Sequence, residues 1–543
     1  MTLARAIFAC LMLLLLYIVY LLQTNTAIAD VTTTTTTTTP IKHLVVIFQE
    51  NVSFDHYFAT YPKADNNNGS GDPSFLAKPD SPSVNGLLAA GLLTNNPNLV
   101  NPFRIPRSNA STCDNDHSYT RLQEAYNGGL MDKFVQTNSV ADGCNPSITM
   151  GYFDGNTVTA LWNYAQHFAM SDNFFGSTFG SSTPGAINLI SGQTHGATPS
   201  YLNTTRGSDN VWFVYNSTLI YDANPAYENC FNPATKSFPK ASFNNTNIGD
   251  LLNSKNITWG WFEGGFKPTN RTANGDPVCG SAHGNYKGSQ VTDYLPHHEP
   301  FQFYKSTANP NHLQPKSVDN IGHTDQANHQ YDLSDFWNAA ESGNNNFLPS
   351  VSFLKARAFQ DGHAGYSNPL EEQNFVVQTI NRLQKLPDWN NTAVIVTYDD
   401  SDGWYDHVMP PIVSQSNEPK NDALLGKDGL CGHAPVGAYQ DRCGYGPRLP
   451  FLIISPYAKV DYVDHSVIDQ SSIIRFIEDN WGLVRIGNQS FDVKAGSINN
   501  MFDFTNAADA HHRSAAKLFL HPGTGTITTT MSQQDSTTTY AMK

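Results

Sequence analysis

Three runs of apolar and β-branched residues stand out along the chain: Leu44-Val45-Val46-Ile47-Phe48, Ala393-Val394-Ile395-Val396-Thr397-Tyr398 and Phe451-Leu452-Ile453-Ile454. Runs without polar alternation predict strands buried on both faces, as in parallel sheets covered by helices. The first ends in Gln49-Glu50-Asn51 and the second in Asp399-Asp400. Polar groups therefore gather at strand C-terminal ends, where open α/β sheets place their sites. Helical spacing lies between and after the runs. Asn368-Pro369-Leu370-Glu371 joins an N-cap residue, a proline at the first helical position and an acid, and Val376, Ile380 and Leu383 then recur on one face. Ile473, Ile474, Ile477 and Trp481 do the same before Gly482, a C-cap residue. The alternation predicts an α/β fold, a parallel-rich central sheet with helices on both faces.

The remaining stretches organise around that frame. From 201 to 346 the chain is rich in Asn, Gly and aromatics with weak periodicity, and is expected to supply insertions that form a rim or lid over the strand ends. They belong to one catalytic domain over residues 41–522. Arg5, an apolar run from Ile7 to Leu22 and the small residues Ala27-Ile28-Ala29 predict a secretory signal peptide over 1–29, or an uncleaved membrane anchor. A threonine-rich linker (30–40) follows, and a Thr/Ser-rich tail (523–543) is expected to be disordered.

Composition narrows the function. Only 15% of the residues are charged, and the formal net charge is −15. Removing residues 1–29 takes away one Arg and no acid, so the mature chain stands at −15 − 1 = −16. That balance argues against nucleic acid as a partner, since phosphate-backbone affinity needs basic patches. No protein partner is indicated. Besides Cys10 in the leader, six cysteines remain: Cys113, Cys144, Cys230, Cys279, Cys431 and Cys443. No Cys-x-x-Cys spacing occurs among them, so they read as disulfides of an exported protein, and neighbour pairing is the simplest connectivity. Sequons at Asn109, Asn203, Asn216, Asn256, Asn270 and Asn488 matter only in a glycosylating host.

Three groups of residues carry candidate chemistry. Glu50, Asn51, Asp399 and Asp400 offer oxygen ligands from two strand ends to one divalent cation of unspecified identity. An isolated Asp-Asp more often just opens a loop, but two strand ends finishing this way favour a metal. Ser182 in Gly180-Ser181-Ser182-Thr183-Pro184 reads as a helix N-cap, whose free N–H groups favour phosphate and whose hydroxyl is a nucleophile beside a metal. His117, the pair His297-His298, and His363 are candidates for proton transfer or phosphate contact. His-Glu-x-x-His, Walker and Gly-x-Ser-x-Gly patterns are absent, which sets aside zincin proteases, P-loop enzymes and serine-esterase elbows.

Together these segments resemble a known family. IKHLVVIFQENVSFDHYFATYP (41–62), CDNDHSYT (113–120), MSDNFFGSTFGSSTPGAINLISGQTHG (170–196), DYLPHHEPFQFY (293–304), FLKARAFQDGHAGYSNPLEEQNF (353–375), VTYDDSDGWYDH (396–407) and RLPFLIISPYAKVDYVDHS (448–466) follow the motif order of the phosphoesterases that include bacterial phospholipases C and related acid phosphatases. The resemblance implies an alkaline phosphatase-like fold with Ser182 as nucleophile. It also implies Glu50, Asp399 and Asp400 as metal ligands, Asn51 as a phosphate contact, His117, His298 and His363 as active-site histidines, and His297 near the substrate. His363 would protonate the leaving oxygen. One departure is local: many phospholipase-like members read Gly-Pro-Ser/Thr-x-Pro-Asn-Arg, and here Ser181, Gly185 and Ala186 replace Pro, Asn and Arg. Missing that Arg, Ser182-Thr183-Pro184 also lacks half of a sulfatase motif.

The expected function is a secreted, metal-dependent phosphoesterase using a phosphoserine intermediate on phospholipids, in transient contact with a membrane surface, or on phosphomonoesters. A broad acid phosphatase without a lipid role is the alternative within enzymes. A non-catalytic exported surface protein, suggested by the threonine tracts and sequons, is the alternative outside them.

Overall fold

The computed structural model describes residues 36–66, 72–140, 143–206, 209–230, 238–342, 348–416, 418–424, 431–432, 434, 436–438, 442–505 and 516–528. The expected leader, most of the threonine linker and residues 529–543 lie outside them. Eight strands form the central sheet: β1 (His43–Gln49), β2 (Ala169–Ser171), β3 (Trp259–Glu263), β4 (Gln330–Asp332), β5 (Val351–Lys355), β6 (Thr392–Tyr398), β7 (Phe451–Ile454) and β8 (Tyr462–Asp464). Their spatial order is β4-β3-β5-β1-β6-β7-β2-β8. β4 to β6 run parallel to one another, β7 alone is antiparallel to both neighbours, and β8 pairs parallel with β2.

Every residue of β3, β5 and β6 is buried, and β1 is buried from Leu44 onward, so both faces of the sheet are covered as the unbroken apolar runs predict. Two departures from the sequence reading follow. The 201–346 stretch is not only rim, because it supplies the sheet strands β3 and β4. Its weak periodicity concealed β3, whose Trp259-Gly260-Trp261-Phe262 is too short and too apolar to alternate. Past the expected domain end at 522 the described chain continues to 528, where Thr528 N–H donates to the Phe519 carbonyl.

Five helices matter for the site: α1 (Phe54–Phe58), α2 (Thr159–His167), α3 (Ser182–Ser191), α4 (Pro369–Leu383) and α5 (Ser471–Trp481). α2 packs on α4, and α3 on α5. Asn368 caps α4, its side chain accepting from Leu370 and Glu371 N–H, and Gly482 ends α5, both as predicted. At α3 the predicted cap is off by one: Ser181 is the N-cap, and Ser182 is the first helical residue. The cysteines pair as neighbours, Cys113–Cys144, Cys230–Cys279 and Cys431–Cys443. No helix among the described residues is long and apolar enough to cross a membrane.

A buried ion network anchors the loop after β6. The Arg448 guanidinium, wholly buried, lies 3.1 Å from Asp406 and 3.3 Å from Asp55, and also donates to the carbonyls of Asn85 and Asp172. His407 Nδ1 meets the same Asp55 carboxylate. α1 is thereby tied to the end of the Asp399–His407 segment. Removing one partner of such a network strands the others without compensation, which costs about 3–5 kcal/mol. Arg448→Met is therefore expected to lower unfolding free energy by about that amount, read as a lower urea midpoint at unchanged slope.

Candidate active site

Strand register builds the site. β1 and β6 are paired in parallel so that Gln49 lies opposite Tyr398, and the next residues, Glu50 and Asp399, leave the sheet side by side. On the other flank of β1, β5 ends in Lys355, which is paired in turn with Glu263 at the end of β3. Four neighbouring strands thus deliver Glu263, Lys355, Glu50 and Asp399 to one edge. All are buried.

The turn after β1 is locked to the turn after β6. Asp399 Oδ1 accepts from Asn51 N–H at 2.8 Å and Asp400 N–H at 2.7 Å, while Val52 N–H donates to Asp400 carbonyl at 2.9 Å. Asn51 holds a left-handed backbone (φ 61°), a conformation Asn tolerates better than most residues and one that strains a backbone only where something fixes it. Asp402 N–H donates to Asp400 Oδ1, and Gly403 follows with φ 68°; a side chain there would meet the Asp116 carbonyl at 2.6 Å. The Asp400–Gly403 turn is therefore the clasp that aims the paired acids.

Ser182 arrives from the opposite side on α3. Its Oγ lies 3.1 Å from Asp400 Oδ2 and 3.3 Å from Asn51 Oδ1. This approach depends on Gly185: a Cβ at that position would sit 2.2 Å from the Asp399 carbonyl oxygen. Gly185 is thus what lets the first turn of α3 close onto the strand end.

The electrostatics are those of a site short of positive charge. Burial, and then the neighbouring Asp399, push the Glu50 carboxyl well above the usual range, and the same two causes act on Asp400. Glu50 Oε2 and Asp399 Oδ2 are buried without a hydrogen-bond partner. With Asp400 Oδ2, Asn51 Oδ1 and Ser182 Oγ they form a set of oxygen donors suited to a hard or borderline divalent cation. Lys355 is the cation already present. It contacts Glu50 Oε1, and although burial opposes its charge, Glu50, Asp399 and Asp361 hold it protonated. His298 Nδ1 lies 3.3 Å from the same Glu50 oxygen.

The other predicted residues converge unevenly. His117 and His363 face each other with ring centroids 6.3 Å apart. His117 Nδ1 donates to the Asn115 carbonyl and lies 3.3 Å from Asp402; burial opposes its charge, but Asp400, Asp114 and Asp402 raise it well above an ordinary histidine. His363 Nδ1 donates to the Ala364 carbonyl, which leaves Nε2 as an acceptor, and burial lowers its pKa. Burial also lowers His297, to about 4, and drops His298 well below its ordinary value. Asn51 sits between the turn and Ser182. Its amide N–H is engaged by Asp402 at 3.1 Å, so its oxygen faces Ser182.

Three residues escaped the sequence reading. Asp402 belongs to the same Asp-Asp-Ser-Asp-Gly run, and Asp114 lies three residues before His117 in the Cys-Asp-Asn-Asp-His motif. Lys355 ends the short segment Val351-Ser352-Phe353-Leu354, whose serine breaks the unbroken apolar pattern that marks β1 and β6. Asp114, His117 and Asp402 bring ligand atoms within 4.8 Å of one another, and Glu50, Asp399 and Asp400 are not such a set among the described residues.

The chain is similar to a non-hemolytic phospholipase C of Pseudomonas aeruginosa, 25% identical over 482 residues, covering 86% of this chain and 58% of that one. It is also similar to phospholipase C B of Mycobacterium tuberculosis, 24% identical over 484 residues, covering 86% and 78%. Among solved structures, murine ectonucleotide pyrophosphatase / phosphodiesterase 5 matches 64% of this chain and 95% of its own at 13% identity and a TM-score of 0.29. The Phosphoesterase family profile matches residues 41–484, from just before β1 to just beyond α5 and so across every residue of the site, and the chain belongs to that family.

Proposed function

We propose that this protein is an exported, metal-dependent hydrolase of phosphate esters that works through phosphorylated Ser182. The observation that carries this reading is Ser182 Oγ, hydrogen-bonded to Asp400 Oδ2 and Asn51 Oδ1 at a helix start and set among buried carboxylates. Export is supported by the N-terminal apolar pattern and the three disulfides.

A divalent ion held by Glu50, Asn51, Ser182, Asp399 and Asp400 would supply Lewis-acid charge that favours the Ser182 alkoxide and the transferring phosphoryl group. The chain's own part is orientation and proton transfer. Asp400 accepts the Ser182 hydroxyl proton at the start of α3, where Asp222 already holds the Thr183 N–H. His117, kept protonated by its three carboxylates, donates to the leaving oxygen; His363, an acceptor at Nε2, takes the proton from the water that then cleaves phosphoserine. This exchanges the role that resemblance alone gives His363.

A cleft of about 790 Å³, within the range of small-molecule sites, adjoins this region. Its wall at Ser111 and Thr112 is hydrogen-bonded to Asn368 and Gly365, the loop that carries His363. Phospholipase C-type cleavage is supported by the similarity to phospholipases C. Gly185 favours the second reading, a phosphatase acting on monoesters, because the Asn and Arg side chains of the phospholipase-like motif are absent beside Ser182.

Three substitutions, a chelator and the identity of the products test the proposal. Ser182→Ala is expected to abolish hydrolysis of both phosphatidylcholine and p-nitrophenyl phosphate with an unchanged circular dichroism spectrum, and a chelator to do the same reversibly; activity surviving in the variant would sink the reading. Phosphocholine release marks the phospholipase, and monoester turnover alone the phosphatase. His117→Gln is expected to slow esters with alkyl leaving groups by about 10²–10⁴-fold and p-nitrophenyl phosphate far less, because nitrophenolate leaves without a proton. Gly185→Ala is expected to push Ser182 out of reach and lower kcat by about 10²-fold, checked by steady-state kinetics on the folded variant.

A further inference from the structure

The cradle contains a buried cation that the proposed reaction does not use. Lys355 has 1% of its side chain exposed, ends a strand in the middle of the sheet, and meets Glu50 Oε1 directly. Around it lie the Phe48 ring, 5.3 Å from the ammonium, its register partner Glu263 on β3, the acids Asp361 and Asp399, and the His298 imidazole, 3.3 Å from the same Glu50 oxygen. A buried lysine is costly unless paired, and nothing in the packing of β5 requires one, since Val351, Phe353 and Leu354 are apolar and equally buried. Its contact is with one oxygen of Glu50, while the other oxygen and Asp399 Oδ2 stay unpartnered.

We propose that Lys355 is the built-in counter-cation of the metal cradle, occupying one Glu50 oxygen and thereby limiting the site to a single, exchangeable divalent ion. This rests on the metal-dependent reading above. Ionised Glu50, Asp399 and Asp400 carry three negative charges; the ammonium and one divalent ion balance them. A second divalent ion would leave the buried site with two uncompensated positive charges, which its low dielectric opposes. Without the ammonium, the same carboxylates draw the ion more strongly, and both Glu50 oxygens become available to it.

The test is metal binding by the chelator-stripped full chain, titrated with Mg²⁺, Ca²⁺ and Zn²⁺ separately by calorimetry, with bound ion counted by elemental analysis. Wild type is expected to bind one ion per chain. Lys355→Met is expected to bind at least tenfold more tightly, or to take up a second ion. Lys355→Gln, which keeps a donor while removing the charge, is expected to shift the same way and replaces the Met variant should that one fail to fold. Lys355→Arg is expected to match wild type. Equal or weaker binding in the neutral variants overturns the role of Lys355. An Asp400→Asn control separates the two readings. Binding that is lost in Asp400→Asn but unchanged in Lys355→Met removes only this inference, whereas binding indifferent to Asp400→Asn removes the cradle and the inference with it.

Discussion

The structure depends on one electrostatic constraint: a row of buried charges along the C-terminal edge of a parallel sheet. Parallel pairing of β3, β5, β1 and β6 gathers Glu263, Lys355, Glu50 and Asp399 at one sheet edge, Glu263 level with Lys355, and Glu50 level with Asp399 two residues further along. Adjacent strands are only about 4.8 Å apart, so these groups cannot ignore one another. Desolvated carboxylates at that spacing need protons, cations or N–H donors. Each of the three is used here: burial raises Glu263 to about 8, Lys355 takes Glu50, and the turn amides take Asp399. What is left over, the orphaned oxygens of Glu50 and Asp399, is the site's capacity to act.

Everything around this row serves to hold it still. The Arg448–Asp55–Asp406 network fixes the far end of the Asp399–His407 segment, and Gly403 allows the turn that points Asp400 at Ser182. Gly185 brings α3 down to the strand end, and Gln470, at the start of α5, donates to the Asp399 carbonyl from the other side. Preorganisation of this kind is what lets a hydroxyl and a few carboxylates do chemistry without rearranging in the reaction.

The histidines show how surroundings divide chemically identical side chains. His297, His298 and His363 sit where burial dominates and remain neutral, whereas His117 lies among Asp400, Asp114 and Asp402 and carries charge. Resemblance marked all of them as site residues but gave the acid role to His363. The acceptor on each ring's Nδ1 and the carboxylates near His117 reverse that assignment in the mechanism proposed here.

The amino-acid sequence by itself determined the two central strands, the caps of α4 and α5, and the polar groups leaving β1 and β6, because burial periodicity and capping are local properties. It also carried the motif order that marks the family. Tertiary structure alone decided which ends lie side by side: β3 enters the sheet from a stretch without periodicity, and β7 reverses direction between β6 and β2. It alone decided that Asn51 turns its oxygen to Ser182, that Gly185 is a packing requirement, and that Lys355 belongs to the site. The physical reason is the same in each case. Strand register and the partners of a buried charge are set by residues hundreds of positions apart, and no local pattern records them.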